Sequence, residues 1–238
     1  MEGNSDFSLL ELFRMGGIFM WPLLLFSIAT IAIALERVVF LLYHNLRMDD
    51  IKTRVQGYLV TGNMAGARDC LSSLANRRIG ARILLSLVNH YDLSEHEIEK
   101  AAESEALTCI NNLESGFNFL TALGSLSPLT GFLGTVSGMI GAFKSIAEAE
   151  NVNAQIVANG IYEALITTVF GLIIAIIAMV SHSLLSHVVD KFAADTEKSC
   201  TDLIIDIVRL NAKNKSRIDR KLLPGPGEKN VLSLHEYT

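Results

Sequence analysis

Three stretches of this chain run apolar, without a charged residue, for long enough to cross a bilayer. Residues 16–35 contain no Asp, Glu, Lys or Arg, and beyond Glu36-Arg37 the apolar character resumes over residues 38–43. Residues 115–143 and 164–189 are likewise free of those four residue types. A helix needs roughly 20 residues to span the hydrocarbon core, so each stretch predicts a transmembrane helix. The two later stretches are not uniformly greasy. In the second, Ser127, Gly131, Gly134, Gly138 and Gly141 recur at three- and four-residue steps, which puts them on one helical face. Gly134 and Gly138 form a GxxxG pair, Thr135 borders the strip, and Pro128 removes one backbone hydrogen bond and can bend the helix. In the third, Ala164, Thr168, Gly171, Ala175 and Ala178 repeat the design. A helix that served only as an anchor has no use for such a stripe. The pattern predicts close packing against a partner helix, or a wet path.

Helical period also governs the rest of the chain, and strand signals are weak throughout. Residues 7–14 form an amphipathic turn or two, with Phe7, Leu10 and Phe13 on one side, suited to the outer membrane interface and broken by Gly16-Gly17. Trp21 stands where an interfacial anchor belongs, beside Pro22 in a tolerant first turn. Glu36 and Arg37 read as an interfacial charge pair anchoring the end of that helix. Residues 49–60 and 64–74 are short helices separated by Thr61-Gly62-Asn63. Ser94 and Glu97 fit a capping box. No Pro follows until Pro128, so one long helix is expected to continue from there into the second span. No Gly or Pro lies between Leu172 and Leu223, so the third helix should project well past the membrane. Leu223-Pro224-Gly225-Pro226-Gly227 then ends it.

The resulting division is an outer-side helix in 1–15, spans in 16–43, 118–143 and 160–189, and a cytoplasmic helical region in 44–117. A short periplasmic connection occupies 144–159, a cytoplasmic helical extension 190–222 and a flexible tail 223–238. The expected fold is all-α, one integral membrane module with no separate soluble domain.

Composition agrees with that reading. Hydrophobic residues make up 50% of the 238 and charged ones only 19%, too apolar for an ordinary soluble domain. Glu2, Asp6 and Glu11 precede any basic residue, which is unlike a cleaved signal. Lys and Arg cluster behind the first and third spans, placing 38–117 and the C-terminus in the cytoplasm and the N-terminus outside. The net charge of −5 argues against nucleic acid as a partner. Cys70, Cys109 and Cys200 have no metal-like spacing and read as small hydrophobes.

Candidate chemistry is sparse. Glu163 lies at the outer end of the third span, where a carboxylate is costly unless it meets water or a partner. A threonine hydroxyl can orient or pass a proton but does not titrate usefully near neutral pH. No ionisable residue occupies the middle of any span, so a proton-conducting device built from this chain must borrow an acid from a second polypeptide. His182 and His187, at the inner end of the third span, are either proton exit groups or ordinary interfacial histidines. No phosphate loop, metal cluster or nucleophile constellation is present, so no enzyme, cofactor or metal site is expected. A passive scaffold held by its small-residue stripes, and a small-solute transporter, remain alternatives of other classes.

Three motifs in order carry a resemblance to a known family. Gly17-Ile-Phe-Met-Trp-Pro through Leu35-Glu36-Arg37, Gly124-Ser-Leu-Ser-Pro through Gly134-Thr135, and Gly160-Ile-Tyr-Glu163-Ala-Leu-Ile-Thr-Thr168-Val-Phe-Gly171 together resemble the MotA/TolQ/ExbB proton-channel family, most closely its ExbB branch. The resemblance implies a homo-pentamer in the inner membrane, embedded in lipid and surrounding a dimer of a single-span ExbD-like protein that carries the titratable Asp. It implies pore-lining roles for Thr135, Thr168 and Glu163. The packing face for the partner helix would comprise Ser127, Pro128, Gly131, Gly134, Gly138, Ala164, Gly171 and Ala175. It further implies work passed to a TonB-like protein, with a TolQ-type envelope role as the alternative. Three spans rather than four separate the chain from flagellar MotA. The long segment after Lys191 departs from the pattern.

Overall fold

The structure, a computed structural model, describes residues 13, 16–44, 46–148 and 154–222. The expected outer helix, Phe13 apart, and the expected tail from residue 223 lie outside the described residues. Among them the chain forms seven helices and no strand: α1 Met20–Tyr43, α2 Asp49–Val60, α3 Met64–Ala75, α4 Ile79–Asn89, α5 Glu95–Glu114, α6 Phe117–Glu148 and α7 Ala154–Leu222. Three segments are long and apolar enough to cross a membrane: Met20–Tyr43, Glu95–Glu148 and Ala158–Lys213. The fold is all-α with three membrane-spanning helices.

Local chemistry explains most boundaries. Asn63 accepts from the Gly66 N–H at 2.9 Å and starts α3 after the break following α2. The Ser94 N–H donates to Glu97 Oε2 at 3.0 Å, the backward arm of a capping box that opens α5. The 69 residues of α7 run without a break, as the absence of Gly and Pro after Gly171 requires.

One expected continuity fails. The helix begun at Glu95 does not run unbroken into the second span, because α5 stops at Glu114 and Gly116 takes φ +89° before α6 starts. Left-handed backbone is accessible to Gly at little cost. The Gly116 carbonyl then receives the Phe119 and Leu120 N–H groups and founds α6. Gly116→Val is therefore expected to cost about 1–3 kcal/mol. The check is a lower midpoint in thermal unfolding of the detergent-solubilised protein.

The chain divides into two compact units. The first comprises Met1–Tyr43 and Leu113–Asp190, the second His44–Asn112 and Lys191–Thr238. The second unit has a core of its own because α2, α3 and α4 each bury an apolar face. Ile51, Val55, Leu59, Leu71, Leu84 and Leu87 are all buried there. Within it, Lys52 donates to Asp202 at 2.5 Å and Gln56 to Asp206 at 3.2 Å, tying α2 to the late part of α7. Cys109 and Cys200 are buried. They are inert fillers at neutral pH.

The first unit packs α1, α6 and α7 together. Met20 and Leu23 of α1 share a cluster with Ile166 and Ile174 of α7, joined by Phe13, Phe26 and Phe170. Large apolar side chains such as Ile28, Phe132, Ile140, Ile176 and Met179 point outward. Ser127, Gly131, Gly134, Ala164, Gly171 and Ala178 are buried instead. That inversion suits lipid, where helices associate by close packing because hydrocarbon outside is as apolar as Leu inside. Trp21 is exposed and meets Phe13 edge-on, with ring centroids 5.5 Å apart. Glu36 and Arg37 pair at 2.7 Å, and the guanidinium lies 5.3 Å from the Phe40 ring. The pair stands inside α1, since the helix continues to Tyr43.

Candidate functional site

The small-residue stripes of α6 and α7 mate with each other in antiparallel register. A Cβ on Gly131 would lie 2.8 Å from the Thr167 carbonyl oxygen and 3.0 Å from Thr168 Cα. On Gly138 it would lie 2.9 Å from Ala164 Cβ, and on Gly171 2.5 Å from the Ser127 carbonyl oxygen. A Cβ on Gly134 would overlap the Thr167 hydroxyl. Nearer the other end, Gly124 faces Ala175 and Ala178. The face expected to receive a partner's helix, made of Ser127, Gly131, Gly134, Gly138, Ala164, Gly171 and Ala175, is therefore filled by the chain's own second and third spans. The physical reason is complementarity: two glycine-bearing stripes on one polypeptide satisfy each other without waiting for a second chain. Pro128, half-buried, sits within α6 beside that seam.

Hydroxyls lock the seam. Thr168 donates to the Gly131 carbonyl at 3.1 Å. Thr167 Oγ1 lies 2.7 Å from the Ala164 carbonyl and 3.2 Å from that of Gly131, and shares its one proton between them. Ser127, fully buried, donates to Leu123 within its own helix at 2.6 Å. Thr135 donates to Phe132 at 2.6 Å. In both Thr135 and Thr168 the hydroxyl proton is engaged by a backbone carbonyl, which leaves the oxygen lone pairs for anything that approaches.

Glu163 stands at one end of the seam, on the wall of a cavity of about 310 Å³. Gly134, Ser137, Gly138, Gly160 and Thr167 also line it, together with residues just before α1. Among the described residues Glu163 is the one titratable group in that lining. Its chain neighbours explain the arrangement: Gly160 and Thr167 stand three and four residues away, hence on the same helical face. Of the three predicted pore residues, the cavity takes in Glu163 but neither Thr135 nor Thr168.

Sequence reasoning passed over Thr167 and Ser137, and read Gly17 as a helix break and part of the first motif, with no role toward Glu163. Thr167 was findable, because its i, i+4 relation to Glu163 puts both on one face. His182 packs edge-on against Phe117 with centroids 5.7 Å apart, which gives it a packing role, while His187 is exposed. Among the described residues no cluster of His, Cys, Asp and Glu could hold a metal ion.

Comparison with known proteins bears on what this arrangement belongs to. The profile of the MotA/TolQ/ExbB proton channel family matches residues 75–198. The chain is 34% identical over 193 residues to an ExbB-like biopolymer transport protein of Synechocystis sp., covering 78% of this chain and 75% of that one. It is 30% identical over 201 residues to the biopolymer transport protein exbB1 of Vibrio cholerae, covering 80% and 84%. Similarity to the Tol-Pal system protein TolQ of Haemophilus influenzae reaches 41% over 86 residues, 36% of this chain and 38% of that protein. With three apolar helices, a hydroxyl-locked seam, and relatives aligned along most of its length, the chain belongs to the MotA/TolQ/ExbB proton channel family.

Proposed function

We propose that this protein is the proton-channel subunit of an inner-membrane motor that energises TonB-dependent outer-membrane transport. It works as a homo-pentamer around a dimer of a single-span ExbD-like partner and performs no chemistry on a small substrate. The observation that carries the reading is the charge distribution of the first unit. Among the described residues a single carboxylate, Glu163, lines a cavity at one end of the α6–α7 seam, and the middle of every span lacks an acid. A proton crossing the apolar interior needs a titratable group there, so the partner's helix supplies it. Because the α6–α7 seam is closed within the chain, that helix docks on another face. Ser137 and Gly141 of α6 are exposed, and a Cβ at Gly141 would meet open space.

The threonines serve as fixed acceptors along the path, their protons committed to Gly131 and Phe132. Thr168→Val keeps the shape and removes the lone pairs. It is expected to lower proton flux several-fold with assembly intact, as read by flux into vesicles per complex reconstituted. The periplasmic N-terminus and cytoplasmic C-terminus follow from the Lys and Arg distribution.

A TolQ-type role in envelope maintenance is the second reading, favoured by the higher identity of the shorter TolQ alignment. The deciding experiment is co-purification with the product of the neighbouring reading frame, followed by proton-flux measurement. A single-span partner with one intramembrane Asp and flux only in the co-complex support the proposal. Full-speed flux through this chain alone overturns it.

A further inference from the structure

We infer that the turn preceding α1 positions the Glu163 carboxylate, with Gly17 as the positioning residue. The inference rests on the proposed proton path and adds to it a second element that no charge pattern reveals. Gly17 has φ +65°, and its carbonyl receives the Met20 N–H at 3.3 Å to close the turn. Glu163 Oε1 occupies the space a Cβ on Gly17 would take, and the carboxyl carbon would lie 2.9 Å from that Cβ. Gly17 is thus constrained twice, by backbone conformation and by the carboxylate resting against its Cα. The flanking Gly16, Ile18 and Phe19 line the same cavity as Glu163, so the turn forms one wall of the space the carboxylate faces. A side chain at position 17 forces Glu163 to another rotamer, away from that seat.

Gly62 supplies the matched control. It also has positive φ, +72°, but nothing lies within 4 Å of the place of its Cβ. Gly62→Ala introduces the backbone strain without a collision.

Two measurements on the co-purified complex test the assignment. Proton flux per assembled complex is expected to fall roughly tenfold or more in Gly17→Ala, since misplacing a reacting group by about 1 Å is that costly. It should stay within about twofold in Gly62→Ala, and Gly17→Ala should add nothing to Glu163→Ala. The thermal midpoint provides an arm independent of proton flow. Gly17→Ala is expected to lower it, and the drop should be measurably smaller in a Glu163→Ala background, where only backbone strain remains. An equal drop in both backgrounds overturns the positioning role whatever the flux shows. Undiminished flux in Gly17→Ala does the same. Full flux in Glu163→Ala with the thermal coupling present instead removes Glu163 from the path, refuting the functional reading while the seat itself stands.

Discussion

Glu163→Gln is expected to reduce proton-driven flux on the order of 100-fold while the protein still assembles, the loss typical of removing a positioned proton-transfer group. Glutamine matches glutamate in size, so it still fits against Gly17 and leaves the cavity wall in place. What disappears is the ability to take up and release a proton. The effect should be large because, among the described residues, no other titratable group lines that cavity. Glu163→Asp, shorter by one methylene, should retain part of the flux. Vesicle reconstitution with a pH-sensitive dye, normalised to complex by gel, measures both variants. Normal flux in Glu163→Gln would mean that protons bypass the cavity.

The second large effect belongs to the seam. Gly131→Val is expected to destabilise the first unit by about 2–5 kcal/mol. Its Cβ would press on the Thr167 carbonyl oxygen at 2.8 Å, and backbone cannot rotate away as a side-chain tip can. Overpacking of this kind costs about 1–3 kcal/mol. The Thr168 hydroxyl bond to Gly131 would be lost with it, at about 0.6–1.7 kcal/mol in a membrane interior, while Thr167 keeps the Ala164 carbonyl. Gly134→Leu should act the same way, through α7 of its own chain and not through a partner's helix. Gly141→Ala, facing open space, is the control and should change little. Thermal unfolding in detergent, followed by helix content, reads all three. Equal midpoints for Gly131→Val and Gly141→Ala would show that the seam is not close-packed.

Several elements were legible without coordinates because they rest on local chemistry. The break at Thr61-Gly62-Asn63, the Ser94–Glu97 cap and the unbroken α7 each depend on a few adjacent residues. Gly116 was less visible, since a lone Gly in a helical pattern is often tolerated, and only its φ distinguishes a break from a passenger. The core of the second unit was hidden because it joins residues 44–112 to a stretch beginning at Lys191. Helix α4 was not foreseen at all; its apolar face becomes meaningful once α3 covers it.

The site divides along the same line. Glu163 could be singled out from sequence, because a carboxylate at the end of an apolar run is expensive wherever it lies. Its neighbour across the fold could not, because Gly17 and Glu163 are far apart in the chain and only packing brings them together.

By itself, the amino-acid sequence determined three membrane helices, two stripes of small residues and an interior without its own acid. These are properties of segments, set by hydropathy and helical period. Only the tertiary structure decided that the stripes face each other, that Thr167 bridges them, and that the turn at Gly17 holds Glu163. Those pairings depend on register between distant segments, and side-chain periodicity within one helix carries no record of which helix will lie against it.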